Sequence, residues 1–167
     1  MNKKDQLILK MIEHDAGNPW MIQHLMKVHE FARIIGTLEK LDEKQMEILE
    51  AASIVHDIGI KIAKQLHGTS NGKLQEKEGP PYAEKLLSEL GYDRDLTDRV
   101  CYLVAHHHTY TDIDGLDYQI LVEADFLVNL YEESSDLETV KSTYKKIFRT
   151  NSGKMICRKM FGFSEQQ

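Results

Sequence analysis

The stretch Ala51-Ala52-Ser53-Ile54-Val55-His56-Asp57-Ile58-Gly59 constrains this chain more than any other. An apolar helical run ends in an adjacent imidazole and carboxylate, and a glycine follows two residues later. Burying either polar group costs roughly several kcal/mol unless it is paired or coordinated. A divalent metal meets that cost. Taken alone, the pair also fits a helix C-terminus at which His56 caps carbonyls and Asp57 faces solvent. Its company argues for a site: His24 upstream, His106-His107-His108 downstream, and Asp125 in an apolar setting. Four helical segments then supply donors to one point. Nitrogen and oxygen donors without thiolates suit iron, manganese, zinc or nickel, one ion or two, and suit Mg²⁺ less well given so much imidazole.

The 167 residues make one domain, 1–167, with length enough for a substantial core. With 41% hydrophobic and 29% charged residues the composition is that of a soluble globular chain. No apolar run approaches the ~18 residues of a membrane span, and Met1-Asn2-Lys3-Lys4-Asp5 lacks the apolar core of a signal peptide. A cytoplasmic protein with no membrane partner is expected. Cys101 and Cys157 show no metal-ligand spacing and read as two reduced thiols. The net charge of −6 argues against a nucleic-acid polymer as partner. Residues 137–167 nevertheless carry seven Lys or Arg against two Glu, a local +5, which leaves −11 on residues 1–136. That basic segment either leans over an anionic ligand or balances the acidic body.

Apolar periodicity places helices along the whole chain and leaves no strand signal. Leu7, Ile8, Met11 and Ile12 mark a first helix, and Asn18-Pro19 opens a second that runs to about Glu39. On that second helix His24 lies beside the apolar stripe, whereas His29 is rotated about 100° from Val28 and reads as a surface or partner residue. Asp42 with Gln45 is a capping box for a third helix through His56. Gly59 ends or bends it, and Ile60 to Leu66 form a further helical turn. His67 to Pro81, rich in Gly, Ser, Asn and Pro, reads as a loop: a lid over the site or a mobile surface excursion. Pro81 then starts a helix through Leu90 with Gly91 at its end, and Asp95 starts one leading to the histidine triplet. Thr109 to Asp117 is a polar turn. Tyr118 to Tyr131 is a central buried helix in which Asp125 needs a partner and Glu123 faces elsewhere. Ser135 with Glu138 caps a helix to about Arg149, and a last one spans about Gly153 to Met160.

The order His24, His56-Asp57, Asp125 resembles the HD-domain superfamily of metal-dependent phosphohydrolases, over roughly residues 20–135. Val28 and Ala32 follow His24 at the family's spacing, Ser53 to Gly59 carries the pair, and Glu123-Ala124-Asp125 carries the last ligand. The resemblance implies an all-α helical bundle, here of about seven or eight helices, with residues 136–167 as a basic helical appendage. It implies metal ligation by His24, His56, Asp57 and Asp125. Branches of the family with two metals add a His before a proline-led helix and another after a run such as Tyr102-Leu103-Val104. The second position is matched by His107 first, from its separation from Asp125, and by His106 next. At the first stands Glu78, which can ligate a borderline metal and keeps a second ion open. Where the family often has Lys directly after the glycine, Ile60 intervenes, and the nearby cations are Lys61 and Lys64. The signature of the cyclic-dinucleotide branch is absent.

The implied chemistry is hydrolysis of a nucleotide or other small phosphate ester by a metal-activated water. Asp57 is the expected bridge between two ions. Lys61 and Lys64, or Lys145, Lys146 and Arg149 in the basic segment, are the expected phosphate contacts. Two rival readings keep the fold: a di-iron oxygenase of the same superfamily, and an idle ligand-sensing or partner-binding module. The sequence leaves the oligomeric state open.

Overall fold

A computed structural model describes residues 1–165. Among them there is no strand, and nine α-helices follow one another: α1 (Lys3–His14), α2 (Pro19–Leu38), α3 (Glu43–Val55), α4 (Gly59–His67), α5 (Gly72–Glu89), α6 (Arg94–Val104), α7 (Leu116–Glu132), α8 (Leu137–Ile147) and α9 (Asn151–Phe161). The all-α expectation holds, with the short segment after Gly59 forming a helix in its own right. No described helix is long and apolar enough to cross a membrane.

The helix starts are chemically specified. Asn18 accepts from the Met21 N–H with Pro19 in the first turn, and Asp42 and Gln45 form the expected reciprocal box. Two starts differ from expectation by a residue or two. Asp136, not Ser135, caps α8 by accepting from Thr139, and Asp93 rather than Asp95 caps α6 through Leu96. In each case a carboxylate lies within reach of the third N–H of the helix, and Asp is as strong a cap as Ser. Gly91, at φ 72°, closes α5 as expected, with the Tyr92 N–H donating to Leu87.

The larger correction concerns residues 67–81. They do not form a loop. Gly68, left-handed at φ 72°, ends α4, and Asn71 already caps α5 by accepting from Leu74. Pro80 and Pro81 lie inside α5 rather than at its start, although each lacks the N–H that a helix interior uses. The glycines explain why a helix persists there. A Cβ on Gly59 would meet the Gln75 carbonyl oxygen at 2.6 Å and the Gly79 nitrogen at 2.9 Å, so α4 and α5 cross backbone against backbone. Packing, not propensity, decides this segment.

The core joins α2, α3 and α7, with α6 covering α3 and the α5 face adding Ala83 and Leu87. Val28, Ala32, Ile54, Val55, Val104, Leu121 and Ala124 are buried on these elements. Small Ala51, Ala52 and Ser53 on α3 are all buried and permit close approach. This sets the inner ends of α2, α3 and α6 around the middle of α7, where the donors converge.

Candidate metal centre

The five donors arrive from four places in the fold. His24 lies on the first half of α2, His56 and Asp57 on the helical turn after α3, His107 on the turn after α6, and Asp125 in the middle of α7. His24 Nε2 stands 3.4 Å from His56 Nε2, 3.3 Å from Asp57 Oδ2 and 3.3 Å from Asp125 Oδ1. His56 Nε2 stands 3.3 Å from Asp57 Oδ2 and 3.5 Å from Asp125 Oδ1. A tetrahedron of donors set about 2.1 Å from its centre has edges of about 3.4 Å. Five of the six edges are matched in this way, His24, His56 and Asp57 offer atoms that all lie close together, and Asp125 reaches both imidazoles, so this donor set fits a metal ion.

The imidazoles are held in the ligating orientation. His24 Nδ1 shares a hydrogen bond of 2.8 Å with Glu132 Oε2, His56 Nδ1 donates to the Ser53 carbonyl at 2.8 Å, and His107 Nδ1 donates to the Val104 carbonyl at 2.7 Å. With Nδ1 committed, Nε2 is the atom left to face the centre. Asn129 Nδ2 donates to Asp125 Oδ1 at 3.0 Å and fixes that carboxylate. Glu132 is anchored in turn by Lys27, whose Nζ lies 2.7 Å from Oε1 as a close ion pair rather than an aligned hydrogen bond.

A second donor group shares Asp57. His107 Nε2 is 3.4 Å from Asp57 Oδ1, is buried, and has no hydrogen-bond partner. Such an orphaned nitrogen aimed at a carboxylate fits an ion between them. His108 completes a triad of potential ligand atoms with Asp57 and His107. Its Nε2 is engaged by Gln75 Oε1 at 2.6 Å, and its Nδ1 lies 3.4 Å from the Tyr110 hydroxyl. Coordination by His108 therefore displaces one of these partners.

Electrostatics follow from two carboxylates enclosed with three imidazoles. Burial opposes a charge on His24, but hydrogen bonding to Asp125 and Asp57 outweighs it and lifts the imidazole to about 10. His56 is likewise disfavoured by burial and carried well above its ordinary value by Asp57 and Asp125. Asp57 and Asp125, though penalised by burial, are held well below the usual carboxylate range, Asp57 chiefly by His56 and Asp125 chiefly by its hydrogen bond with His24. Without a cation, the cluster recruits protons to balance its carboxylates.

The structure brings together His24, His56, Asp57, His107 and Asp125 from the sequence-derived set. Glu78 is not among the grouped donors: its Oε1 pairs instead with His67 Nε2 at 2.9 Å. Because α5 begins early, Gln75, nearly one turn before Glu78, is the residue that faces the triad. His106 turns away, donating from Nδ1 to the Tyr102 carbonyl at 2.7 Å and stacking on that ring at 4.1 Å. His29 sits apart beside Glu50, at 3.5 Å. Lys61 and Lys64 project from α4 and line a cavity with Asp15 and Asn18.

The basic segment does not reach the centre. Lys145 and Lys146 are exposed on α8, and the Arg149 guanidinium donates to the carbonyls of Lys145, Lys146 and Phe148. Buried Glu123 accepts from the Arg149 and Thr150 N–H groups, as befits a residue about 200° around α7 from Asp125. The helix stands between that segment and the donors. Sequence reasoning missed His108, Gln75 and Glu132. His108 had only its place in the triplet as a signal, and the other two had none.

Residues 21–142 match the family model of the HD domain, and the chain belongs to that family. The fold is similar to that of a crystal structure described as a predicted HD superfamily hydrolase from an uncultured Thermotogales bacterium. That likeness has 23% identity and a TM-score of 0.68, covering 95% of this chain and 84% of the other. No curated protein matches the chain significantly.

Proposed function

We propose that this HD-domain protein is a metal-dependent phosphohydrolase acting on a small phosphate ester. The observation that carries the reading is the two-sided carboxylate of Asp57, with Oδ2 among His24 and His56 and Oδ1 beside the orphaned His107 Nε2. His24, His56 and Asp57, joined by Asp125 through its approach to both imidazoles, would hold one divalent transition ion, and Asp57, His107 and His108 a weaker second. When bound, such an ion acidifies a water and offsets charge on phosphoryl oxygens. The protein's share is positioning. Glu132, Ser53 and Val104 fix the imidazoles, Asn129 fixes Asp125, and Lys61 and Lys64 supply cations on the α4 side.

The di-iron oxygenase differs in needing two firmly held irons and oxygen. An idle binding module has no physical need for four converging buried donors, which argues against it. Elemental analysis followed by anaerobic phosphate release separates the three. Purified protein is expected to hold a transition metal and to release phosphate without oxygen, and Asp57→Ala to lose both. Oxygen consumption with two irons per chain, or full metal content in Asp57→Ala, would sink the proposal.

A further inference from the structure

His108 belongs with Asp57 and His107 to a group whose potential ligand atoms lie within 4.8 Å of one another. It differs from the other imidazoles of the centre in how it is held. The first turns of α5 grip it at three points. Glu76 Oε1 accepts from its backbone N–H at 3.0 Å, and Gln75 Oε1 lies 2.6 Å from its Nε2. Gly72 packs on the ring itself: a Cβ there would meet His108 Cγ at 2.9 Å and Cδ2 at 3.2 Å, a space that a larger residue fills only by moving the ring.

These contacts specify the tautomer. The side-chain carbonyl of buried Gln75 can only accept, so His108 Nε2 carries the proton and the lone pair of the neutral ring lies on Nδ1. His24, His56 and His107 are arranged the other way round. Their Nδ1 atoms are committed to Glu132 and to the Ser53 and Val104 carbonyls, which leaves Nε2 as the donor atom. The partner of His108 Nδ1 is weak. The Tyr110 hydroxyl donates to it across 3.4 Å, longer than an ordinary hydrogen bond, which runs to about 3.2 Å. Tyr110 is 42% exposed, so water can take over its hydroxyl once displaced, whereas Gln75, at 8%, is shielded from such a substitute.

Resting on the second donor group of the proposed function, we infer that His108 takes up the second ion through Nδ1, that Gln75 is the positioning residue that fixes its tautomer, and that Tyr110 is a gate competing with the ion for the same lone pair. Ligation through Nε2 would break the 2.6 Å bond and strand a buried carbonyl. Ligation through Nδ1 keeps that bond, and a hydrogen bond at the far nitrogen raises the basicity of the near one. The two ions are then held by different means. His24 and His56 already face Asp57 and Asp125, whereas the second ion gains His108 only by displacing a hydroxyl. Its affinity is raised by Gln75 and lowered by Tyr110, from the two nitrogens of one ring.

The test starts from the chain carrying one equivalent of zinc and follows uptake of the second by calorimetry. In the zinc-saturated protein with isotopically labelled histidine, long-range proton–nitrogen NMR correlations identify the protonated and the metal-bound nitrogen of each ring. His108 is expected to be bound at Nδ1 and protonated at Nε2, and His24, His56 and His107 the reverse. Gln75→Leu should weaken the second equivalent by about 10–100-fold and leave the first unchanged, while Gln75→Glu, which still accepts from Nε2, should restore it. Tyr110→Phe keeps the packing on Phe126, whose ring centroid lies 5.1 Å away, and should tighten the second equivalent severalfold. Binding of His108 through Nε2, a second affinity indifferent to Gln75→Leu, or a weaker second ion in Tyr110→Phe overturns the inference. So does a chain that takes up only one ion, and release of phosphate from an aryl phosphate by that chain leaves the phosphohydrolase reading standing. A second ion bound as described in a chain that releases no phosphate upholds the inference and overturns the reading.

Discussion

His24 owes its role to a neighbour 108 residues away, because Glu132 accepts its Nδ1 proton at 2.8 Å and so presents Nε2 to the centre. A carboxylate behind a ligating histidine also raises the basicity of the ring, and loss of such a partner typically costs about 10–100-fold in metal affinity. Glu132→Gln keeps the shape and can still accept the hydrogen bond, but removes the charge. We expect a metal dissociation constant weakened by about tenfold or more, with a shifted ligand-field spectrum of the cobalt-loaded protein. A variant that merely disturbed packing would lower metal-free stability and leave that spectrum alone. The pairing has no sequence signature, since nothing in Tyr131-Glu132-Glu133 distinguishes the buried carboxylate of Glu132 from the exposed one of Glu133. His56, Asp57 and Asp125 were legible for the opposite reason. Each sits in an apolar run where a polar group must have a use.

At the scale of the elements, the crossing of α4 and α5 governs the second donor group. It seats Gln75 against His108 and places Glu76 to accept from the His108 N–H and the Thr109 hydroxyl. A Cβ on Gly59 would strike backbone atoms of Gln75 and Gly79 that cannot swing aside. Gly59→Ala is therefore expected to destabilise the fold by about 1–3 kcal/mol, the usual cost of overpacking, as read by urea denaturation. Stability unchanged within about 0.5 kcal/mol would mean the helices are not in that contact. Gly72→Ala is a milder probe: its Cβ would meet His108 Cγ at 2.9 Å, so it should displace a ring rather than a backbone. The helices themselves were mostly legible, because caps such as Asn18 and Asp42 are local chemistry. The segment 67–81 was not. Its Gly and Pro content is that of a loop, and only the tertiary approach of Gly59 to Gly79 shows what the glycines are for. Misplacing that helix start carried Glu78 into the site and left Gln75 out.

Over the whole molecule, an ion held by His24, His56, Asp57 and Asp125 would link α2, the end of α3 and α7, which are also elements of the core. Folding stability is then coupled both to metal and to pH. In the metal-free protein His24 has an ordinary value of 6.5 when unfolded and about 10 when folded. The folded state holds the extra proton between these values, so this contribution is complete below about 6.5 and is lost as pH rises towards about 10. Metal-free wild type should therefore lose stability from pH 7 to 9 relative to His24→Gln, which has no such proton to hold. With metal bound the imidazole is a neutral ligand, and the sign changes. Acid now competes with the ion for Nε2, so the loaded protein should gain stability over the same range or hold level. Urea titrations at pH 7, 8 and 9, in chelator and in saturating metal, measure the two slopes directly. Parallel slopes in the two conditions would mean that the ion and the protons do not share the His24 site, and the four-donor assignment would have to be abandoned.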